Sequence, residues 1–263
     1  MLPMSARLSE ITSNARLKEY PSTTILQVAN YPIFRRPGYE PRERGYDVPP
    51  KGEATDPERS KASSRARAKA AVRDIALCNR FEYFFTWTLD KELVDRYDRE
   101  LVGNKVRTFL RNASSRKNFQ YVCVPELHQD GAIHFHGLCN LGRVGIHRAV
   151  NPYTGELLLT ERGQPIYNMS DWKLGFSTCI PIDENYERTC NYVTKYINKS
   201  SDKILGKWYL SSRSLVKHPP IELIDGGMDY DGFCGDNPGL SVIPLYMDVC
   251  MVSTQLPGEG ATL

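Results

Sequence analysis

Hydrophobic and polar positions change period several times along the chain, and each change marks an element. Residues 81–89, Phe81-Glu-Tyr-Phe-Phe-Thr-Trp-Thr-Leu89, are aromatic and β-rich and predict a strand. In residues 91–112, Leu93, Val94, Tyr97, Leu101, Val102, Val106, Phe109 and Leu110 recur at near-helical spacing with charges between them, which predicts a helix. Strands are expected over 119–128 and 132–140, around a Gln129-Asp130-Gly131 turn. Residues 142–165, rich in Gly, Pro and Asn, read as a loop with one short hairpin. A strand is expected over 173–182, a helix over 185–200 and a short strand over 208–211.

The order is strand, helix, strand, strand, strand, helix. The tight turn between the second and third strands makes them antiparallel. A central antiparallel sheet with helices on one face predicts an α+β fold of ferredoxin-like or RRM-like type over residues 81–218. The flanks read differently. Residues 1–60 are rich in Pro, Arg, Ser, Thr and Gly with little apolar periodicity, and predict extended or disordered chain. Residues 61–80 predict a helix with a basic face. Past Pro219-Pro220 the composition turns to Gly, Asp and Pro, so residues 219–263 are expected to be a loosely structured acidic tail.

Composition sharpens this division. Apolar content of 41% is enough for a packed core. The net charge of +3 hides +6 over residues 1–80, +4 over 81–218 and −7 over 219–263. No stretch approaches the ~18 apolar residues of a membrane span, and the N-terminus lacks the apolar core of a signal peptide. The seven cysteines are widely spaced with no CxxC pair, which argues against a disulfide framework and a zinc ribbon, and for a reducing cytoplasm.

The first candidate chemistry is a histidine hairpin. His134 and His136 are two apart on a strand, so both imidazoles share one face. A three-residue loop with Gly131 in the left-handed position sets His128 opposite Ala132, Leu127 opposite Ile133 and Glu126 opposite His134. A two-residue loop would bury the Glu126 carboxylate on the apolar side, at a desolvation cost. The favoured register yields a Glu126-His134-His136 cluster, with His128 as the alternative third ligand. Oxygen and nitrogen ligands without thiolate suit Mg²⁺ or Mn²⁺, with Zn²⁺ also compatible. His147 and His218 are isolated and expected to be exposed.

The second is a tyrosine helix. Tyr192 and Tyr196 are i and i+4, so their hydroxyls share a face, flanked by Lys195 and Lys199. Nearby cations favour the phenolate, a competent nucleophile toward phosphorus. The same stripe also suits plain packing with phosphate contact.

Together these motifs resemble the HUH endonucleases that initiate rolling-circle replication. The strand motif Phe84-Phe-Thr-Trp-Thr-Leu-Asp, then His134-Phe-His136-Gly, then Tyr192-Val-Thr-Lys195-Tyr196 occur in the family's order, over about residues 81–215. The Tyr-x-x-Lys-Tyr form is similar to the two-tyrosine branch of small single-stranded DNA phages and some plasmids. The resemblance implies a metal-dependent nicking enzyme. Tyr192 would attack the scissile phosphate of origin single-stranded DNA, leaving a 5′-phosphotyrosine link and a 3′-hydroxyl that primes a host polymerase. Tyr196 would attack in the next round, and Lys195 would balance phosphate charge. Thr86 and Thr88 would lie beside the site and contact DNA or support the histidines.

The absence of a GxxxxGK[ST] segment means that unwinding and strand protection fall to a host helicase and single-strand-binding protein. Lys199, Lys203, Lys207 and Arg213 are candidate DNA contacts, with Lys105, Arg107, Arg111, Arg116 and Lys117 as further basic positions and Trp172, Trp208 and Tyr209 as stacking candidates. The N-terminal segment is a candidate DNA-holding arm, and the acidic tail a candidate lid. An HUH-type transposase, or a non-catalytic DNA-binding protein on the same fold, is the alternative. No membrane partner is expected.

Overall fold

The computed structural model describes residues 12–36, 50, 53–199, 202–236, 241–244 and 248–255. It divides into two units, one formed by Arg67–Lys217 and the other by the described residues on either side of it. The chain opens in the flanking unit with β1 (Thr12–Ser13), β2 (Ala15–Tyr20), β3 (Thr23–Ala29) and β4 (Phe34–Arg35). This corrects the expectation of extended or disordered chain over residues 1–60; residues 1–11, 37–49, 51 and 52 lie outside the described residues. Ala15, Tyr20, Ile25, Val28 and Ala29 are buried. Helix α1 (Pro57–Cys78) follows, with the Asp56 carboxylate accepting from the Arg59 amide at 2.9 Å and Pro57 at the first helical position.

The Arg67–Lys217 unit holds β5 (Tyr83–Leu89), α2 (Arg99–Lys117), β6 (Gln120–Leu127), β7 (Ile133–Asn140), β8 (Ile146–Arg148), β9 (Tyr167–Met169), β10 (Gly175–Pro181), α3 (Tyr186–Lys199) and β11 (Leu210–Ser211). Its seven strands form one sheet in the order β11-β6-β7-β5-β10-β9-β8, antiparallel throughout. The α+β class is as expected. In the four central strands β7 lies between β6 and β5, a split βαβ arrangement.

Alternation along β5 sorts the two faces. Phe85, Trp87 and Leu89 point into a core with Ile133, Phe135, Cys123, Cys139 and the α2 residues Val102, Val106, Leu110 and Ala113. Phe84, Thr86 and Thr88 point the other way, toward the face where α3 packs on β6 and β7. Helices therefore cover both faces rather than one.

Helix α2 begins later than the apolar spacing suggested. The Asp98 carboxylate accepts from the amides of Glu100 and Leu101, capping the helix there, while Leu93 and Val94 belong to a turn bonded to the Asp90 carbonyl. The helix ends where Asn118 takes a left-handed φ of 56°. Trp172 stacks on Trp87 at 4.5 Å between centroids and is 4% exposed, so it is core and not a base-stacking surface. Trp208 is also buried.

The chain then returns to the flanking unit with β12 (Ile221–Leu223), α4 (Tyr230–Asp236), β13 (Ser241–Pro244) and β14 (Asp248–Gln255). A five-stranded antiparallel sheet forms in the order β12-β2-β3-β14-β13. The described part of residues 219–263 is thus sheet, not a loose tail; residues 237–240, 245–247 and 256–263 lie outside the described residues. Cys123, Cys139 and Cys179 are buried free thiols. Cys234 is disulfide-bonded, which the wide cysteine spacing did not predict. Among the described residues no helix is long and apolar enough to cross a membrane.

Candidate active site

The site grows from the β6–β7 hairpin. Its register pairs Leu127 with Ile133 and Glu126 with His134, and the His128 amide donates to the Ala132 carbonyl at 2.8 Å. Gly131 adopts φ +84°, a region that costs a side-chain-bearing residue strain and glycine little. The Asp130 carboxylate accepts from the Ala132 amide at 3.0 Å and pairs with Arg96 at 2.7 Å, which fixes the turn. This is the three-residue-loop arrangement, and it sets Glu126, His134 and His136 on one face. Strand β5 runs alongside, with Thr86 opposite His136 and Thr88 opposite His134.

His136 is 9% exposed. Burial pushes its pKa down to about 4, outweighing the opposite pull of the Glu126 carboxylate. The ring is therefore neutral, and its partners select the tautomer. Nε2 lies 2.6 Å from Glu126 Oε2, which carries no proton, so Nε2–H donates; Nδ1, 3.1 Å from Thr86 Oγ1, accepts from the hydroxyl. Thr86 is thus a support for the histidine. His134 also has a lowered pKa, by burial and then by the nearby His128. Its ring stacks on His128 at 4.8 Å.

The donor chemistry fits a small divalent cation: a carboxylate with its side chain 12% exposed and two imidazoles held neutral. Capture through His136 Nε2 requires the other tautomer, with Nδ1–H donating to Thr86. Among the described residues no group of three or more His, Cys, Asp or Glu stands ready-assembled for a metal. Glu126 and His136 already touch, while His134 rests on His128. His128 itself is half-exposed and lies 3.4 Å from Asp130 through Nδ1.

Helix α3 lays its tyrosines over this face. The Tyr196 ring stacks on His136 with centroids 3.7 Å apart and planes 8° from parallel. Its hydroxyl donates to the Tyr192 oxygen at 2.8 Å. Tyr192 meets the edge of Phe84 at 5.6 Å. The two tyrosines are unequal: Tyr192 is 46% exposed and Tyr196 6%. Burial, followed by the bond to Tyr192, raises the Tyr196 pKa, opposite to the phenolate bias expected from the flanking lysines. Lys195 Nζ stands 5.7 Å from the Tyr192 ring centre, and Lys199 Nζ 4.9 Å from that of Tyr196.

The expected residues Glu126, His134, His136, Tyr192, Lys195, Tyr196, Lys199, Thr86 and Thr88 therefore converge, with His128 at the margin. Lys203, Lys207 and Arg213 are exposed beyond α3, and no contact joins them to the cluster among the described residues. The α2 cations Lys105, Arg107, Arg111, Arg116 and Lys117 lie on the helix that covers the opposite face, and Lys117 pairs with Asp171 at 2.5 Å. His147 and His218 are exposed, as expected.

Two features escaped the sequence reading. Phe84 braces Tyr192 and also stacks near His136 at 6.3 Å; its place two residues before Thr86, on the same strand face, was the available signal. Lys199 pairs with Glu126 at 2.8 Å rather than standing free for DNA. No curated protein and no solved structure matches the chain. The segment carrying this cluster does match a family: residues 82–201 fit the family model of the ORF2 type of replication-associated protein, and that similarity supports a rolling-circle replication initiator.

Proposed function

We propose that the cluster nicks origin single-stranded DNA by tyrosine transesterification and later rejoins the ends. The observation that carries this reading is the continuous line of contact Tyr192–Tyr196–His136–Glu126, which sets an exposed phenol beside a neutral histidine and a carboxylate. Tyr192 is the attacking group because its oxygen is the accessible one. Its oxygen bonds to phosphorus as the bond from phosphorus to the 3′-oxygen breaks. The phenol gives up its proton and the departing 3′-oxygen takes one, leaving a 5′-phosphotyrosine and a free 3′-hydroxyl.

Tyr196, donating to the Tyr192 oxygen, stabilises the charge that develops there. Phe84 holds the Tyr192 ring, and Lys195 offers positive charge beside it. Thr86 fixes the orientation of His136. Glu126, His134 and His136 would hold Mg²⁺ or Mn²⁺, which when bound would polarise the scissile phosphate. One phosphodiester replaces another, so no nucleotide cofactor is consumed. Host polymerase, helicase and single-strand-binding protein would carry out extension and unwinding. Tyr196 would serve as the second nucleophile only after α3 or the DNA exposes it.

The test is covalent capture of an origin-bearing oligonucleotide with Mn²⁺ present. A DNA-linked band is expected that is lost on chelation and in Tyr192→Phe. Full adduct in the Tyr192→Phe, Tyr196→Phe double variant would refute the nucleophile assignment.

A further inference from the structure

We propose that Lys199 is an internal cation that occupies the divalent ion's place at Glu126, and that the ion binds only by displacing it. The inference rests on the reading of Glu126 as a metal ligand. Both carboxylate oxygens are capped: Oε2 by His136 Nε2 at 2.6 Å and Oε1 by Lys199 Nζ at 2.8 Å. The Glu126 side chain is only 12% exposed, and a carboxylate so enclosed needs a counter-charge close by. The ammonium supplies it. An ammonium and a divalent ion on the same buried oxygen repel each other and compete for its lone pairs, so the two are mutually exclusive.

The geometry also makes the ammonium removable. Lys199 is the last residue of α3, its side chain is 58% exposed, and the Tyr196 ring beneath it is a cation–π rest rather than a cage. Loading the ion would therefore free a positive charge one helical turn from Tyr196 and two from Tyr192, on the side where a phosphate meets the tyrosines. Lys195, on the same helix, sits over Tyr192 and is not within ion-pair distance of Glu126 among the described contacts. It serves as a control for charge alone.

The experiment measures Mn²⁺ affinity by calorimetry and by electron paramagnetic resonance, without DNA. Wild type, Lys199→Met, Lys199→Gln, Lys195→Met and Glu126→Gln are compared, with thermal melts to confirm folding. Both Lys199 variants should bind Mn²⁺ roughly three- to tenfold more tightly than wild type. Lys195→Met should bind as wild type does, and Glu126→Gln should lose most of the affinity. Equal or weaker binding in both Lys199 variants, with Glu126→Gln still defective, overturns the role of Lys199 and leaves the metal reading standing. Tighter binding in Lys195→Met as well as the Lys199 variants reduces the effect to general charge and also overturns it. Absence of any Glu126-dependent Mn²⁺ binding overturns both readings.

Discussion

Acidifying the chelated protein probes the burial of His136. Its pKa lies at about 4 in the folded chain against an ordinary 6.5, because burial disfavours the charged ring. The folded state thus binds this proton less readily than the unfolded state does. The corresponding stability is complete above pH 6.5 and is lost as pH falls toward 4. At about 1.36 kcal/mol per unit, roughly 2 kcal/mol is gone by about pH 5, and about 3 kcal/mol well below the folded pKa. The assay is urea unfolding followed by tryptophan fluorescence in excess chelator. All three tryptophans, 87, 172 and 208, lie in the Arg67–Lys217 unit, so the signal follows the unit that carries the site. Wild type should lose about 2 kcal/mol more than His136→Gln between neutral pH and about pH 5. Equal losses in the two proteins, or a nuclear magnetic resonance titration of His136 with a midpoint near 6.5, would refute the reasoning.

Three further outcomes are expected. Gly137→Ala sets a Cβ against the Val122 carbonyl oxygen and 2.6 Å from Phe85 Cζ; it should destabilise the sheet by about 3 kcal/mol in the same urea assay. Asp98→Ala removes the cap that accepts from two amides and should cost about 1 kcal/mol, while Asp98→Asn should retain most of the stability. Deleting residues 241–263 removes β13 and β14, so the amides of β3 that pair with β14 should lose their protection in hydrogen exchange. Unchanged protection there would show that β14 does not complete that sheet in solution.

The hairpin was legible because its physics is local. Asp130-Gly131 demands a turn, and one register alone keeps Glu126 off the apolar face beside Phe135. The strand at β5 was equally plain, since Phe85, Trp87 and Leu89 alternate with Thr86 and Thr88. The start of α2 was obscured because Leu93 and Val94 satisfy helical spacing while bonding instead to the Asp90 turn. Nothing near Lys199 in sequence announces Glu126 as its partner; a separate strand brings them together. The flanking sheet was hidden for the same reason. Residues 15–20 and 23–29 look like weak strands on their own, and their burial depends on β12 and β14 from the other end of the chain.

That pairing has a consequence for synthesis. Val28 sits opposite Cys250, so β3 waits for its neighbour until translation has passed the whole Arg67–Lys217 unit. A growing chain meets contacts in order of emergence, and closures across long stretches are slow. The Arg67–Lys217 unit is a complete insertion whose own strands are all available earlier. On the ribosome, the residues of the proposed site can therefore come together while β2 and β3 still lack the strand that lies between β3 and β13.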